Sequence, residues 1–325
     1  MQEVLTLTPI YYNSFKPLYE EFCQCAISEY KFELEPLTFD NFIESVESGL
    51  IKCLIYTENR QPKAFLVYTL AISESIELNI IHCEHFDNIA QRSCALIKHF
   101  MEEVKNERNE KVVCYPMLGK QRNIVGEISI LGFKFVGIAV LRFLLNETSS
   151  RKILNLSVLD QLPKDYTIKP WNNNYMNDAV RVVQNAFSTS ADALFDTRFQ
   201  TLDGTYDILN KIVTHVYADF LPEASSVLFY KNKPVGFCFA NVTGGKIVNI
   251  PIMAIAKEHQ AKGLSKYLLG ETLQKIITLT DEHELPIIEI NTNTETNNFQ
   301  ALKMYRNLGF KEDYNYPQSY LPITK

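Results

Sequence analysis

The chain has 325 residues, of which 46% are hydrophobic and 22% are charged, and its formal net charge is -6. This composition is typical of a globular protein and excludes the disordered and fibrous classes, while the length predicts two domains of roughly 150 residues each. The charges form no basic cluster, which argues against nucleic acid as a partner because its phosphates bind concentrated Lys and Arg.

The sequence also lacks membrane and disulfide signals. No run reaches the roughly 18 apolar residues of a membrane helix, and residues 1–10 lack the basic and apolar regions of a signal peptide. The seven cysteines are odd in number and show no CxxC spacing, so they are interpreted as reduced thiols in apolar surroundings. We therefore expect a cytoplasmic protein that does not contact a membrane.

The first half predicts a mixed succession of helices and strands. Apolar residues follow one face of a helix over 90–104, and apolar runs around a polar turn at Pro62 predict a β-hairpin. In chain order we expect helices over 15–30 and 39–48, hairpin strands at 55–56 and 65–70, a strand over 76–83, a helix over 90–104 and a strand over 111–117.

The second half predicts the same succession. In chain order we expect helices over 175–187 and 206–217, hairpin strands at 228–230 and 235–242, a strand over 246–256, a helix from 264, a strand over 286–291 and a helix over 297–308. Gly309 suits the position just past the last helix, because glycine enters the left-handed region at little cost.

Two landmarks recur at similar spacing in both halves. The tetrapeptide Leu-Gly-Phe-Lys occurs at 131–134 and 308–311, and the hairpin proline precedes its glycine by 70 residues in the first half and 75 in the second. Matched order and spacing indicate a duplicated fold. We predict an α/β chain with domains at 1–155 and 160–325, each a mixed, mostly antiparallel sheet with a parallel central strand pair flanked by helices.

The segment 255–265 links a buried strand to the start of a helix. Such a junction exposes backbone N–H groups and the positive end of the helix dipole, which favours a phosphate group. Gly263 lets the backbone come close to a ligand, Ser265 adds a small hydroxyl donor and Lys262 adds charge. An ordinary loop that begins a helix is the alternative interpretation.

A second element at 298–310 favours the ligand site. Asn298 and Tyr305 are seven residues apart, which places them on one helix face two turns apart. The small Ala301 lies between them. This face leaves room for a ligand beside a phenol.

Together the two segments resemble the acetyl-CoA site of the GCN5-related N-acetyltransferase (GNAT) family. The matching positions are Gln260-x-x-Gly263-x-Ser265 and Asn298-x-x-Ala301-x-x-x-Tyr305-x-x-x-Gly309-Phe310. The resemblance covers residues 166–320 in order and the first half more loosely. Ser265 stands where the family usually has Gly or Ala, and Ala261 stands where glycine is commoner.

The resemblance implies two tandem GNAT-like domains and acetyl-CoA as cosubstrate, without a metal. It implies that the loop N–H groups hold the pyrophosphate, the strand edge pairs with the pantetheine amides, Asn298 binds the cofactor arm or a water, and Tyr305 stands near the thioester sulfur. The implied cofactor-binding residues are Met253, Ala254, Ile255, Gln260, Ala261, Lys262, Gly263, Leu264, Ser265, Asn298 and Tyr305. Pro251 cannot donate to a ladder, so we expect irregular strand pairing there.

Tyr305 is the catalytic candidate. Proton transfer from a phenol of pKa about 10 to a thiolate of pKa about 8.5 is uphill by about 2 kcal/mol, so we expect Tyr305 to hydrogen-bond the departing sulfur. A packed helix aromatic is the alternative interpretation.

The sequence does not identify a general base. Asn249, Glu289 and Asn291 are the substrate candidates, although an exposed strand carboxylate is the plainer interpretation of Glu289. His259 resembles a family position that packs rather than catalyses. The loop over 188–204 shapes the acceptor pocket in this family, and its carboxylates are interpreted as solvated; they are Asp192, Asp196 and Asp203.

The first half lacks both motifs. Residues 84–89 contain no glycine and two carboxylates, which would repel a pyrophosphate, and residues 123–130 contain no tyrosine. We interpret this half as a degenerate structural copy that walls the substrate cleft or makes a homodimer contact. His82, Cys83 and His85 suggest a metal cluster, but strand alternation turns Cys83 away from the other two, so no metal site is predicted.

The sequence therefore predicts an N-acetyltransferase that acts on a primary amine of a small molecule or peptide by direct attack. Two alternatives stay open: a non-catalytic protein that binds or senses acyl-CoA, and an acyltransferase of this fold that uses another activated donor. Asn298 and Tyr305 argue against the first alternative, and the loop over 260–265 argues against the second.

Overall fold

The computed structural model describes residues 2–32, 34–70, 75–156, 162–283 and 285–323. The strands are β1 (Gln2–Thr6), β2 (Lys52–Glu58), β3 (Gln61–Thr69), β4 (Ile76–Cys83), β5 (Val113–Pro116), β6 (Lys134–Leu144), β7 (Tyr166–Pro170), β8 (Asp219–Phe220), β9 (Ser226–Tyr230), β10 (Lys233–Cys238), β11 (Asn241–Thr243), β12 (Ile247–Asn249), β13 (Met253–Ile255), β14 (Glu289–Glu295) and β15 (Lys311–Leu321). The α-helices are α1 (Tyr12–Tyr30), α2 (Phe39–Glu47), α3 (Ile89–Glu103), α4 (Val125–Ile130), α5 (Glu147–Leu154), α6 (Met176–Phe187), α7 (Asp192–Phe195), α8 (Leu202–Val213), α9 (Leu264–Glu282) and α10 (Phe299–Leu308). None of these described helices is both long and apolar enough to cross a bilayer.

Both predicted hairpins are confirmed, and they close in the same way. Asn59 and Arg60 join β2 to β3, Lys231 and Asn232 join β9 to β10, and all four residues have φ between 47° and 66°. Two-residue turns with positive φ match the right-handed twist of paired strands. The two halves therefore share a turn conformation as well as a sequence pattern.

The chain forms two compact units, and each unit takes residues from both halves of the sequence. Unit 1 comprises Met1–Gly137, Leu194–Asp196 and Tyr316–Lys325, and unit 2 comprises Ile138–Ala193 and Thr197–Asn315. Most of β6, a strand of the first half, thus belongs to unit 2, and the end of β15 belongs to unit 1. The composition of these units differs from the sequence domains 1–155 and 160–325.

Unit 1 is a sheet with helices on both faces. Its strand order is β1-β2-β3-β4-β5 followed by the end of β15, and only β4 and β5 are parallel. Leu96 and Phe100 of α3 pack on one face together with Leu321. Phe15 and Phe22 of α1 pack on the other face.

Unit 2 contains two sets of strands. One set has the order β6-β14-β12-β11-β8, with β12 and β14 parallel, and the other is the antiparallel set β13-β10-β9-β7. Leu268 and Ile290 lie in the core beneath α9 and α10, whereas Val183 and Phe237 lie in the core beneath α6 and α8. The mostly antiparallel sheet with one parallel pair, flanked by helices, is confirmed in each unit.

Two predicted strands are divided. The expected strand over 235–242 falls into β10 and β11, separated by residues 239–240. The expected strand over 246–256 consists of β12 and β13, separated by residues 250–252. Pro251 lies in this gap and has no N–H to donate. The expectation of irregular pairing at Pro251 is confirmed, and the expectation of one continuous strand is wrong.

Candidate functional site

At the gap around Pro251 the chain leaves its parallel neighbour β14. β12 pairs with β14 as far as Asn249 and Asn291, and the Ile250 N–H donates to the Asn291 carbonyl at 3.0 Å. Beyond that point β13 pairs only with β10 in the described part of the chain. The side of β13 that would face β14 is therefore an open strand edge.

Alternation along β13 defines which backbone groups this edge presents. The Ile252 carbonyl accepts from the Phe239 N–H at 2.9 Å, and the Ala256 N–H donates to the Val235 carbonyl at 2.8 Å. The backbone N–H and C=O groups of the even-numbered residues therefore point to the neighbouring strand β10. The N–H groups of Met253 and Ile255 point the other way. They are suited to pair with the amides of an extended ligand.

The loop after β13 has the backbone shape of an anion site. Ala261 has φ 59° and Gly263 has φ 70°, and Gly263 precedes the first turn of α9 without a side chain to cap it. Left-handed residues beside a helix start turn successive N–H groups to one side, which forms a concave site for an anion. Ala261, Lys262 and Gly263 are exposed, so a ligand can reach this loop.

Two side chains of the loop bind back to the protein. Gln260 Nε2 donates to the Ile255 carbonyl at 2.8 Å, and Lys262 Nζ donates to the Glu258 carbonyl at 2.8 Å. These bonds fix the loop against the end of β13. The Gln260 backbone N–H is also engaged, since it donates to the Lys257 carbonyl at 3.3 Å, while Lys262 adds positive charge to the exposed part of the loop.

Two left-handed residues of the loop provide a matched test of its backbone. An L side chain in that region costs about 1 kcal/mol, and a Cβ at Gly263 would meet no atom within 4 Å, so only the backbone opposes it. We expect Ala261→Gly to raise the free energy of unfolding by about 1 kcal/mol and Gly263→Ala to lower it by about as much. Urea denaturation measures both, and shifts of the same sign would contradict this backbone conformation.

Tyr305 is buried beneath the end of the β12–β14 pairing. It is 4% exposed, and its ring packs against Phe310 with centroids 5.3 Å apart. Its hydroxyl hydrogen-bonds Thr292, whose own hydroxyl donates to the Ile250 carbonyl at 3.2 Å. This chain of contacts links the phenol to the residue at which the two strands diverge.

Burial keeps the Tyr305 phenol neutral. It raises the pKa of Tyr305 to about 12, and the hydrogen bond with Thr292 opposes that shift only in part. Proton transfer from such a phenol to a thiolate of pKa about 8.5 is uphill by about 5 kcal/mol. The group is therefore suited to donate a hydrogen bond and unsuited to give up its proton.

Asn298 begins α10 rather than lying within it. Its side-chain oxygen accepts from the Ala301 N–H at 3.2 Å, which makes it the N-cap of the helix. Asn298 is exposed, so its side-chain amide can reach a ligand as well as cap the helix. Ser265 is half-buried in the first turn of α9.

The predicted substrate residues lie on one face of the sheet in unit 2. Asn249 Nδ2 donates to Thr243 Oγ1 at 2.7 Å, and Asn291 is 4% exposed. Glu289 is 5% exposed and accepts from Arg142 Nη1 at 3.4 Å. The interpretation of Glu289 as an exposed strand carboxylate is wrong, because Arg142 from β6 covers and pairs with it.

His259 and the acceptor loop have structural contacts of their own. Tyr166 and Tyr230 pack against His259, whose Nδ1 is 2.8 Å from the Tyr166 hydroxyl. Burial, followed by the charge of Lys262, lowers the pKa of His259. Asp192 accepts from Ser190 Oγ at 2.9 Å and burial raises its pKa, so the expectation of a solvated carboxylate is wrong at this position. Asp203 is exposed as expected.

In unit 1 the corresponding parallel strands, β4 and β5, also diverge, and a side chain of the protein occupies the edge of β4. β4 and β5 pair only at Ile76 and Glu77, and further along β4 the Ile81 N–H donates to the side-chain oxygen of Gln121 at 3.2 Å. Gln121 is 3% exposed. The edge N–H groups of β13 in unit 2 are thus open, whereas the corresponding N–H of Ile81 in unit 1 is bound by a side chain. Local sequence could not reveal this contact.

His82, Cys83 and His85, which were considered as metal ligands, contact different side chains. The Nδ1 atom of His82 is 2.8 Å from the Tyr30 hydroxyl, and Cys83 Sγ is 3.7 Å from Ser93 Oγ in a different core. His85 Nδ1 pairs with Glu21 at 3.3 Å. Within the described residues no group of three or more His, Cys, Asp or Glu side chains is arranged to hold a metal ion.

The family model described as an acetyltransferase (GNAT) domain matches residues 222–312, which contain the open edge of β13, the loop over 257–263 and Tyr305. This segment is a GNAT acetyltransferase domain. No curated protein matches the sequence.

Solved structures extend the fold comparison to the whole chain. A GCN5-related N-acetyltransferase from Sphaerobacter thermophilus has a TM-score of 0.65 at 14% identity, covering 100% of this chain and 96% of its own. A tandem GNAT protein from the clavulanic acid biosynthesis pathway has a TM-score of 0.57 at 10% identity, covering 100% and 99%. The chain thus has the fold of tandem GNAT proteins, and its acetyltransferase domain makes it an acyltransferase.

Proposed function

We propose that this chain transfers an acetyl group from acetyl-CoA to a primary amine of a small molecule or peptide by direct attack. The observation that carries the proposal is the open edge of β13, which leads into a loop with two left-handed residues at the start of α9. An extended chain of amides followed by a pyrophosphate fits that order of groups. The GNAT domain at residues 222–312 supports acetyl-CoA as the donor.

Each part of the site then has a task. The backbone N–H groups of residues 261–265 hold the pyrophosphate, those of Met253 and Ile255 bind the pantetheine amides, and Asn298 binds the cofactor arm. Acetyl-CoA supplies the acyl group as an activated thioester. The N–H groups of Met253 and Ile255 can also stabilise an oxyanion, a contact whose removal in other enzymes lowers the rate by roughly 10² to 10³.

The proposed reaction needs one further donor from the chain. The amine nitrogen forms a bond to the acyl carbon, the carbon–sulfur bond breaks, and a proton from the amine ends on the sulfur as a thiol. In this reaction the Tyr305 hydroxyl exchanges Thr292 for the sulfur as its acceptor. It stabilises the developing charge on sulfur by a hydrogen bond without losing its own proton, because its pKa is raised to about 12.

Calorimetric titration tests the donor site. We expect acetyl-CoA and free CoA to bind the wild type and to lose binding in Gly263→Trp, whose indole would occupy the exposed concave side of the loop. Gly245→Trp is a matched control, since Gly245 also has φ 70° and a Cβ there also meets no atom within 4 Å. It lies in the turn between β11 and β12, at the end away from the cofactor edge.

Three results would decide between the alternatives. Binding lost only in Gly263→Trp supports the proposed site, and thiol release with an amine then establishes transfer. Binding without thiol release across an amine panel favours a protein that senses acyl-CoA. Failure of the wild type to bind either compound contradicts the proposal and favours another activated donor.

A further inference from the structure

Four polar residues of unit 2 form one row across adjacent strands. Asn241 pairs with Asn249, Asn249 with Asn291, and Asn291 with Arg142. Neighbouring strands are about 4.8 Å apart, so the row spans roughly 14 Å. Directly paired residues point to the same face, and this face is opposite to that of Val248 and Ile290, which lie in the core beneath α9.

The row lies where β12 and β14 separate. Asn249 is the last residue of β12, and the bond from Ile250 to Asn291 is the last between the two strands. The open edge of β13 continues from this point in one direction. Glu289, two residues before Asn291 on the same face, lies in the other direction. A thioester on the open edge would therefore meet an acceptor that extends toward Glu289.

Two buried acceptor atoms on this face lack a partner. Asn241 and Glu289 are each 5% exposed, and within the described residues neither Asn241 Oδ1 nor Glu289 Oε1 has a hydrogen-bond partner. A buried carboxylate oxygen without a donor is costly, and native proteins rarely retain one. Both atoms can only accept, so the ligand group that satisfies them must donate hydrogen bonds.

The charges around Glu289 favour a cation as that donor. Arg142 lies between two carboxylates, with Nη1 3.4 Å from Glu289 and Nε 3.1 Å from Asp313. One guanidinium and two carboxylates give this cluster a formal net charge of -1. Glu289 carries the more buried carboxylate, with its side chain 7% exposed against 44% for Asp313.

We propose that the acceptor is a small diamine: Asn249 and Asn291 flank the amine that is acetylated, and Glu289 Oε1 binds the second, cationic amino group. Two residues along a strand span about 6.6 Å, which is close to the nitrogen separation of extended diaminobutane. The inference rests on the proposed function, because it places the reacting amine at the strand divergence. Glu289 determines acceptor specificity in this arrangement.

Matched acceptors test this site without any mutation. Initial rates of thiol release with acetyl-CoA are compared for diaminobutane and butylamine, which differ only in the second amino group. We expect kcat/KM to favour the diamine by roughly 10- to 100-fold, the range expected for a hydrogen bond to a charged group. Equal kcat/KM values for the two amines would overturn the inference.

The variant Glu289→Gln tests whether Glu289 is the residue that causes the preference for the diamine. We expect the diamine preference to fall to near unity through a higher KM for the diamine. Asp313→Asn is the control, since it removes a carboxylate from the same arginine at a more exposed position and should keep the preference. A preference retained in Glu289→Gln, or lost equally in both variants, would contradict binding at Glu289. Urea denaturation of each variant confirms folding.

The failures of the two proposals are separable. Calorimetry in the presence of saturating CoA measures diamine and monoamine binding independently of turnover. Absence of thiol release with every amine contradicts the acetyltransferase proposal, whatever binds. Equal binding of both amines by an enzyme that does release thiol contradicts the diamine site alone.

Discussion

Replacing Tyr305 by phenylalanine is expected to lower turnover by roughly 10² to 10³ while leaving the dissociation constant of acetyl-CoA nearly unchanged. The phenol is tied through Thr292 to Ile250, where the strands diverge, so its removal takes a single donor away from the reacting end of the site. Phenylalanine keeps the ring contact with Phe310, so the fold should persist. Thiol-release kinetics and calorimetry of acetyl-CoA measure the two quantities.

A second tyrosine of unit 2 serves as the control. Tyr206 is 47% exposed, so Tyr206→Phe should leave both turnover and binding unchanged. The pH profile adds a check, because a phenol with its pKa raised to about 12 stays protonated, and its contribution therefore persists, at every lower pH. An unchanged turnover in Tyr305→Phe would show that Tyr305 is a packed helix aromatic without a catalytic role.

Deletion of the chain after Pro317 is expected to destabilise unit 1, although the deleted residues follow unit 2 in sequence. Residues 318–321 pair with all four residues of β5, and the buried Ser319 donates to the Tyr115 carbonyl at 2.8 Å. The deletion removes these bonds and the side chain of Leu321, which is 5% exposed in the core of unit 1. Hydrogen exchange should become faster in β5 and remain slow in α9.

A point substitution makes the same test with less disruption. Leu321→Ala should lower the free energy of unfolding by about 2 to 5 kcal/mol, the range for a buried leucine, as measured by urea denaturation. Leu144→Ala, in β6, is the matched control because Leu144 is 57% exposed and its loss should change stability by less than about 0.5 kcal/mol. Similar losses in both variants would contradict the specific role of Leu321.

Local sequence patterns predicted most elements of the fold. The strand over 76–83 and the helix ends at Phe187 and Leu308 were predicted to the residue, because apolar spacing and end signals are local. The division of the strand at Pro251 could be anticipated only as irregular pairing. Its separation into β12 and β13 depends on which neighbouring strand each part joins.

The pairing of the last strands could not be read from the sequence. Neither the apolar run of β6 nor the polar and aromatic pattern of β15 specifies which strand it pairs with. The same limit applies to side chains that act over long sequence distances. Arg142 pairs with Glu289 across 147 positions, and Gln121 reaches Ile81 across 40, and no local signal marks either contact.

The candidate site was predictable where a motif carried it. The loop over 260–265 and Tyr305 were found by spacing, and their roles in binding and catalysis stay predictions. Thr292, which connects Tyr305 to Ile250, was missed because a single threonine on a strand is unremarkable. The alternation that placed Glu289 and Asn291 on one face was informative, but burial of that face depends on residues from other strands.

The position of β15 also affects the order of folding during synthesis. Leu321 follows Gly137 by 184 residues, and at roughly 5 to 20 residues per second the ribosome needs on the order of 10 to 40 s to make that stretch. Throughout this time β5 is an unpaired strand edge, the kind of surface that joins other nascent chains. We expect the yield of folded protein to fall when translation between these residues is slowed, and to recover when a chaperone that binds exposed strands is supplied.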